Sequence, residues 1–173
     1  NLDLDYLLTL VKLEGISFGG NVSGYINATD LYSEPYLDAR IKAQDFTFCE
    51  GPLGDAAAYV YWNSDSSRID FTVDVEENKE HTTNIEGYAD IADRFLWLDI
   101  DADSTNISFL NSMLGDFMGN IKGNASGNII VGGPMDAIDL DGTLLADVSF
   151  RLTPTNTDYY FRDSIRLTPG VIR

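Results

Sequence analysis

Residues 142–152, GTLLADVSFRL, alternate without a break: Leu144, Ala146, Val148, Phe150 and Leu152 point one way, and Leu145, Asp147, Ser149 and Arg151 the other. Alternation with period two marks a β-strand with one apolar side, and that side needs a layer against it. What supplies the layer decides the fold.

The same pattern recurs along the chain. In RIDFTVDV, Ile69, Phe71, Val73 and Val75 oppose Asp70, Thr72 and Asp74, and in FLWLDIDAD, Leu96, Leu98, Ile100 and Ala102 oppose Trp97, Asp99 and Asp101. Further strand candidates are SGYINA (23–28), DARIKAQDFTF (38–48), AAAYVYW (56–62), TTNIEGYADI (82–91), GNIIVGG (127–133), AIDLDG (137–142), DYYFRD (158–163) and SIRLTPGVIR (164–173). Turn residues gather between them at EGPLGD, NSDSS, GGP and TPTNT. One segment has helical spacing, Asn106–Met118, with Ile107, Leu110, Met113, Leu114 and Phe117 on one side and Asp103 or Ser104 as its expected cap. YLLTLVKL (6–13) reads as a short helix or a strand. So few helices cannot roof so many strands, and the fold class expected is mainly β.

The length suits a single domain with a core of its own. A formal net charge of −17, from 28 acidic and 11 basic residues without a basic cluster, argues against nucleic acid as a partner. Cys49 is the only cysteine, which excludes an internal disulfide and fits a small packing residue. No apolar run approaches the ~20 residues of a membrane-spanning helix. The chain starts without Met inside one alternating pattern and stops inside another, as a piece of a longer protein would.

It also repeats itself. Residues 21–48 align with 124–150, sharing N-x-S-G, Ile26 with Ile129, Leu37-Asp38 with Leu140-Asp141, and Ala43 with Ala146. One extra residue near Gln44 then brings Asp45–Phe48 onto Asp147–Phe150, which predicts a β-bulge there. Repetition of a supersecondary unit is the mark of an extended stack that buries its apolar side along its length.

These residues carry a resemblance. Gly123–Gly127, Gly132-Gly133, Gly142–Ala146 followed by Ser149 and Phe150, and then Thr157–Leu167 as a T-x-Y-x-F-x-D-x-I-x-L hairpin, resemble the repeats of the TamB family. These are large envelope proteins of diderm bacteria related to AsmA-like proteins. The match is good from about Phe95 to Arg173 and looser before it, where Ala39 stands at the position of an expected turn glycine. The resemblance implies a sheet curled into a U, a β-taco with an apolar groove, formed by residues 1–173 as one segment containing two related units, about 1–95 and 96–173. It implies a periplasmic location within an inner-membrane-anchored protein, and an Omp85-type (TamA-like) outer-membrane barrel as partner through regions outside this segment. The implied role is conveying phospholipid between the two membranes, or supporting assembly and translocation of outer-membrane proteins.

A groove of this kind suits acyl chains, because each buried CH₂ contributes about 0.8 kcal/mol and a non-directional contact is equally good along a uniform lining. The expected lining is Ile69, Phe71, Val73, Leu96, Leu98, Ile100, Ile129, Val131, Leu140, Leu144, Val148, Phe150, Leu152, Ile165 and Leu167, with Ile41, Phe46, Phe48 and Ile138 as further candidates. Alternation alone leaves a second architecture open: a β-sandwich or barrel closed on those same residues, serving as a structural or binding module of a secreted or surface protein.

Catalytic chemistry has little to start from. Asp99, Asp101 and Asp103 lack the Gly and Glu of a calcium loop, having Ser104 and Leu110 at those positions. His81 is the single histidine, so no histidine-paired metal site or relay can form. The N-x-S/T matches at Asn21, Asn27, Asn106 and Asn124 are common in such a composition, and Trp62 and Trp97 read as packing residues. The sequence therefore predicts a non-enzymatic protein without cofactor or metal.

Overall fold

The computed structural model describes residues 17–30, 34–78 and 81–170. Among the described residues nine strands follow one another: β1 (Phe18–Thr29), β2 (Tyr36–Phe48), β3 (Gly51–Asn63), β4 (Arg68–Asn78), β5 (His81–Asp90), β6 (Phe95–Asn106), β7 (Met118–Pro134), β8 (Asp139–Leu152) and β9 (Thr157–Leu167). One helix of five residues, α1 (Leu110–Leu114), lies between β6 and β7. All nine strands form a single sheet in chain order, each antiparallel to its neighbours, and the sheet does not close, because β1 and β9 are its two edges. Sequential hairpins explain the order: the connections between strands are short, and short connections make antiparallel neighbours.

Several boundaries differ from the sequence expectation. DYYFRD and SIRL are one strand, β9, so Thr157–Leu167 is not itself a hairpin but the second arm of one with β8. EGPLGD is not a turn: the reversal is confined to Cys49-Glu50, both at positive φ, and β3 begins at Gly51. Asp103 and Ser104 do not cap the helix, because β6 runs on to Asn106, whose Oδ1 accepts the Ser108 N–H at 2.8 Å. Met113 and Phe117, expected to pack, are exposed. YLLTLVKL and LDLD (2–5), a stretch that LDID (98–101) echoes in the sequence, lie outside the described residues.

The expected bulge is present. Register shifts between Ala43 and Phe46 of β2, where Asp45 takes φ 53°, and its N–H donates to Asp55 Oδ1 at 3.1 Å. Comparable shifts occur at Ser104 in β6 and Asn120 in β7, both also at positive φ. Two glycines that the internal repeat aligns take the same place in their strand pairs. Gly24 faces Ile41 across β1–β2, and Gly127 faces Leu144 across β7–β8, at equivalent positions of the two copies. At both glycines φ is positive, and an added Cβ would fall 2.1 or 2.2 Å from a carbonyl oxygen of the partner strand, so no larger residue fits.

Directly opposed residues of antiparallel strands share a face. One row can therefore be followed across the whole sheet: Gly24, Ile41, Ala58, Val73, Ile85, Ile100, Ile129, Gly142, Leu167. The row beside it reads Ile26, Ala39, Val60, Phe71, Gly87, Leu98, Val131, Leu140. Neither row holds a polar side chain.

Candidate functional site

Among the described residues little protein lies over that apolar face. Among the described residues the buried apolar side chains are Ala39, Ala43, Cys49, Val75, Ala102, Ile121, Ala125, Ala146 and Val148, most of them small. No Leu, Phe, Tyr or Trp belongs to this set. A closed core is built from such large side chains, which bury the most area. On the same face Ile26, Leu140 and Ile165 stay 43%, 45% and 37% exposed.

The buried apolar side chains other than Ala39 lie toward one end of the strands, where residues 107–117 cross the face as a strap. Phe109 packs its ring edge-on against Phe48 with centroids 5.3 Å apart, and Phe48 in turn meets Phe18 at 5.4 Å. Ser112 Oγ donates to the Cys49 carbonyl at 2.7 Å. Asn111 bridges to β7, its Nδ2 donating to the Ile121 carbonyl and its Oδ1 accepting the Ile121 N–H, each at 2.8 Å. The strap's backbone lies so close to Gly51 that a Cβ there would be 2.4 Å from the Phe109 nitrogen. Between strap and sheet is an apolar pocket of about 340 Å³, lined by Ile107, Leu110, Leu114, Met118, Ile121, Val148, Phe150, Phe161 and Ile165. Cα atoms of β3 and β6, three places apart in the sheet, come within 8 Å of one another.

The opposite face is polar and satisfied from within. Tyr59 stacks on Tyr61 at 5.3 Å and Tyr88 on Trp97 at 5.8 Å, while the guanidinium of Arg68 sits 3.8 Å from the Tyr88 ring centroid. Asp70 accepts from Asn63 Nδ2 and Arg68 Nε, both at 2.6 Å, and from the Tyr61 hydroxyl at 3.4 Å. Burial acts to raise the Asp70 pKa, but the hydrogen bonds from Asn63 and Arg68 and the charge of Arg68 outweigh it, so the carboxyl titrates below its ordinary range. Tyr59 donates to Asp38 at 3.0 Å, which raises the phenol's pKa. Trp97 thus has Tyr88 as its partner, whereas Trp62 lies on the apolar side, opposite Ile69.

Among the described residues no group of His, Cys, Asp and Glu is arranged to hold a metal ion. Asp99 is hydrogen-bonded to Asn128 Nδ2 at 2.6 Å, and His81 Nδ1 lies 3.2 Å from Asp103 Oδ2 at an exposed position. Cys49 is buried in its turn, donating its N–H to the Ser17 carbonyl at 2.8 Å.

The register brings all fifteen expected lining residues onto one face: Ile69, Phe71 and Val73 on β4, Leu96, Leu98 and Ile100 on β6, Ile129 and Val131 on β7, Leu140, Leu144, Val148, Phe150 and Leu152 on β8, and Ile165 and Leu167 on β9. They do not share one environment, since Val148 is buried at the strap end and Leu140 is exposed at the other. Val60, Ile85, Ile121 and Phe161 share the face and were not among the expected lining. Ile85 was hidden because its neighbour in the alternation is Gly87, which breaks the apolar run in NIEGYAD.

No family model matches the chain, and neither a curated protein nor a solved structure is significantly similar to it.

Proposed function

We propose that the chain is a groove segment of a TamB-like periplasmic protein, whose uncovered apolar face carries the acyl chains of phospholipids between inner and outer membrane. The observation that carries this reading is the unbroken apolar row from Gly24 to Leu167, on a face whose larger side chains remain unburied. An apolar face of that extent, over which the described residues place little protein, is a binding surface for something apolar.

In this reading the sheet is curled into a U with the apolar rows inside. Strands three places apart in a flat sheet are ~14 Å from one another, so the 8 Å approach of β3 and β6 favours curvature. Bulges at Asp45, Ser104 and Asn120 add bend and twist toward the strap end. Conveyance along such a lining needs no catalytic group, because sliding from one set of aliphatic contacts to the next leaves the buried area unchanged. An inner-membrane anchor, an Omp85-type barrel partner and a part in outer-membrane protein assembly belong to the same proposal and follow from the sequence resemblance alone. The rival β-sandwich needs a second sheet, and all nine described strands belong to one.

The test is native mass spectrometry after incubation with phosphatidylcholine vesicles. The expected result is protein carrying one or more intact lipids, lost when Phe71 and Ile100 are both changed to Asp. Protein that stays lipid-free overturns the reading.

A further inference from the structure

The charges around the apolar face are distributed unevenly, and this bears on which lipid the face accepts. Among the described residues the basic side chains are almost confined to the polar face: Arg40 and Lys42 on β2, Arg68 on β4, Lys122 on β7, Arg151 on β8, and Arg162 and Arg166 on β9 each alternate with a residue of the apolar rows. Arg94, in the β5–β6 turn, is the exception. Carboxylates share the polar face and, unlike the other basic residues, also occupy the margins. Asp65, Asp93 and Asp136 stand exposed in successive turns at the end away from the strap, and Glu50 and Asp116 at the strap end. None of the five takes part in the ion pairs of the described residues, which are Arg68–Asp70, His81–Asp103, Arg151–Asp158 and Arg162–Asp147. The one charge on the apolar side of edge strand β9 is again a carboxylate, Asp163, opposite Ala146.

We propose that the groove selects zwitterionic phospholipid and discriminates against anionic headgroups. This rests on the reading of the apolar face as a lipid groove. A phospholipid with its tails on the apolar rows places its headgroup at the turns, where successive hairpins present a carboxylate about every 10 Å across the sheet. An anionic head meets repulsion there, with Arg94 alone among the described residues to offset it. A zwitterionic head can turn its ammonium toward the carboxylates and its phosphate toward water. The chain's charge of −17 adds to the same field. Tail contacts, being apolar, are indifferent to the head, so selection comes from the margins.

The experiment offers the chain vesicles holding equal amounts of phosphatidylcholine and phosphatidylglycerol with identical acyl chains, so that both lipids share one surface potential. Native mass spectrometry then identifies the lipids retained. The expected result is about threefold more phosphatidylcholine than phosphatidylglycerol at about 0.15 M salt, rising toward roughly tenfold at about 10 mM, where screening is weaker. The triple variant Asp65→Lys, Asp93→Lys, Asp136→Lys, at exposed turn positions, is expected to invert the preference. Equal capture of both lipids, or an unchanged ratio in the triple variant, overturns the selection and leaves the groove itself standing. Capture of neither lipid overturns the groove, and this inference with it.

Discussion

Ser112 and Cys49, 63 positions apart, are joined by a hydrogen bond from the serine Oγ to the cysteine carbonyl at 2.7 Å. It pins the strap after β6 to the β2–β3 turn, so one bond ties together two regions that the sheet order keeps well apart. Ser112→Ala is expected to cost about 1 kcal/mol in denaturant unfolding, since the net worth of such a bond is small. Amide exchange should quicken in residues 107–117 and stay unchanged in β4 and β5. Uniform loosening of all strands would contradict the local tether.

Glycine positions separate strained from free backbone. Gly127 has φ 143°, and a Cβ there would sit 2.2 Å from the Thr143 carbonyl oxygen, whereas a Cβ at Gly119 meets nothing within 4 Å. Gly127→Ala should destabilise by ~3 kcal/mol and Gly119→Ala by less than ~0.5 kcal/mol, measured by urea denaturation. Equal costs would argue against this β7–β8 geometry.

Side chains of equal size should differ by location. Ile121 is 4% exposed beneath the strap, and Ile129 lies half-buried on the open face. Ile121→Ala is expected to cost ~3 kcal/mol and Ile129→Ala ~1 kcal/mol, because a substitution on an uncovered surface leaves no cavity. A full core penalty at Ile129 would mean that protein covers this face.

Acid should act through Asp70. Its carboxyl titrates below the ordinary range, so its contribution to stability is complete above the unfolded-state value near pH ~4 and disappears as pH falls through the lower folded-state value. Asp70→Asn is expected to lower stability at pH 7 by about 1–2 kcal/mol and to flatten the decline below pH ~4, followed by circular dichroism. An acid limb as steep in the variant as in the parent would assign the effect to other carboxylates.

The strands and their faces were legible in the sequence because a half-buried strand writes its environment into every second residue. The alternation of Leu144 to Leu152 and of Ile69 to Val75 survives unchanged in the register. The bulge near Gln44 was legible because an internal copy without the extra residue lies at Ala146–Asp147. Other features depend on distant partners. Gly51 looked like turn punctuation, but it is a strand glycine that leaves room for the Phe109 backbone, 58 residues on by number yet in contact. Ser104 looked like a helix cap and is a bulge whose N–H donates to Ser126 Oγ on the next strand at 2.8 Å. Whether the sheet closes was hidden altogether, since the absence of a pairing between β1 and β9 leaves no local trace.

The central claim, that the apolar face holds lipid, is tested most directly by placing the photo-crosslinker benzoylphenylalanine at Phe71 and, in a second variant, at Thr72. These neighbours point to opposite faces of β4, Phe71 paired with Gly87 and Thr72 with Glu86. After irradiation in the presence of phosphatidylcholine vesicles, lipid adducts are expected from position 71 and not from position 72. Adducts from neither position, or in equal yield from both, would contradict the claim.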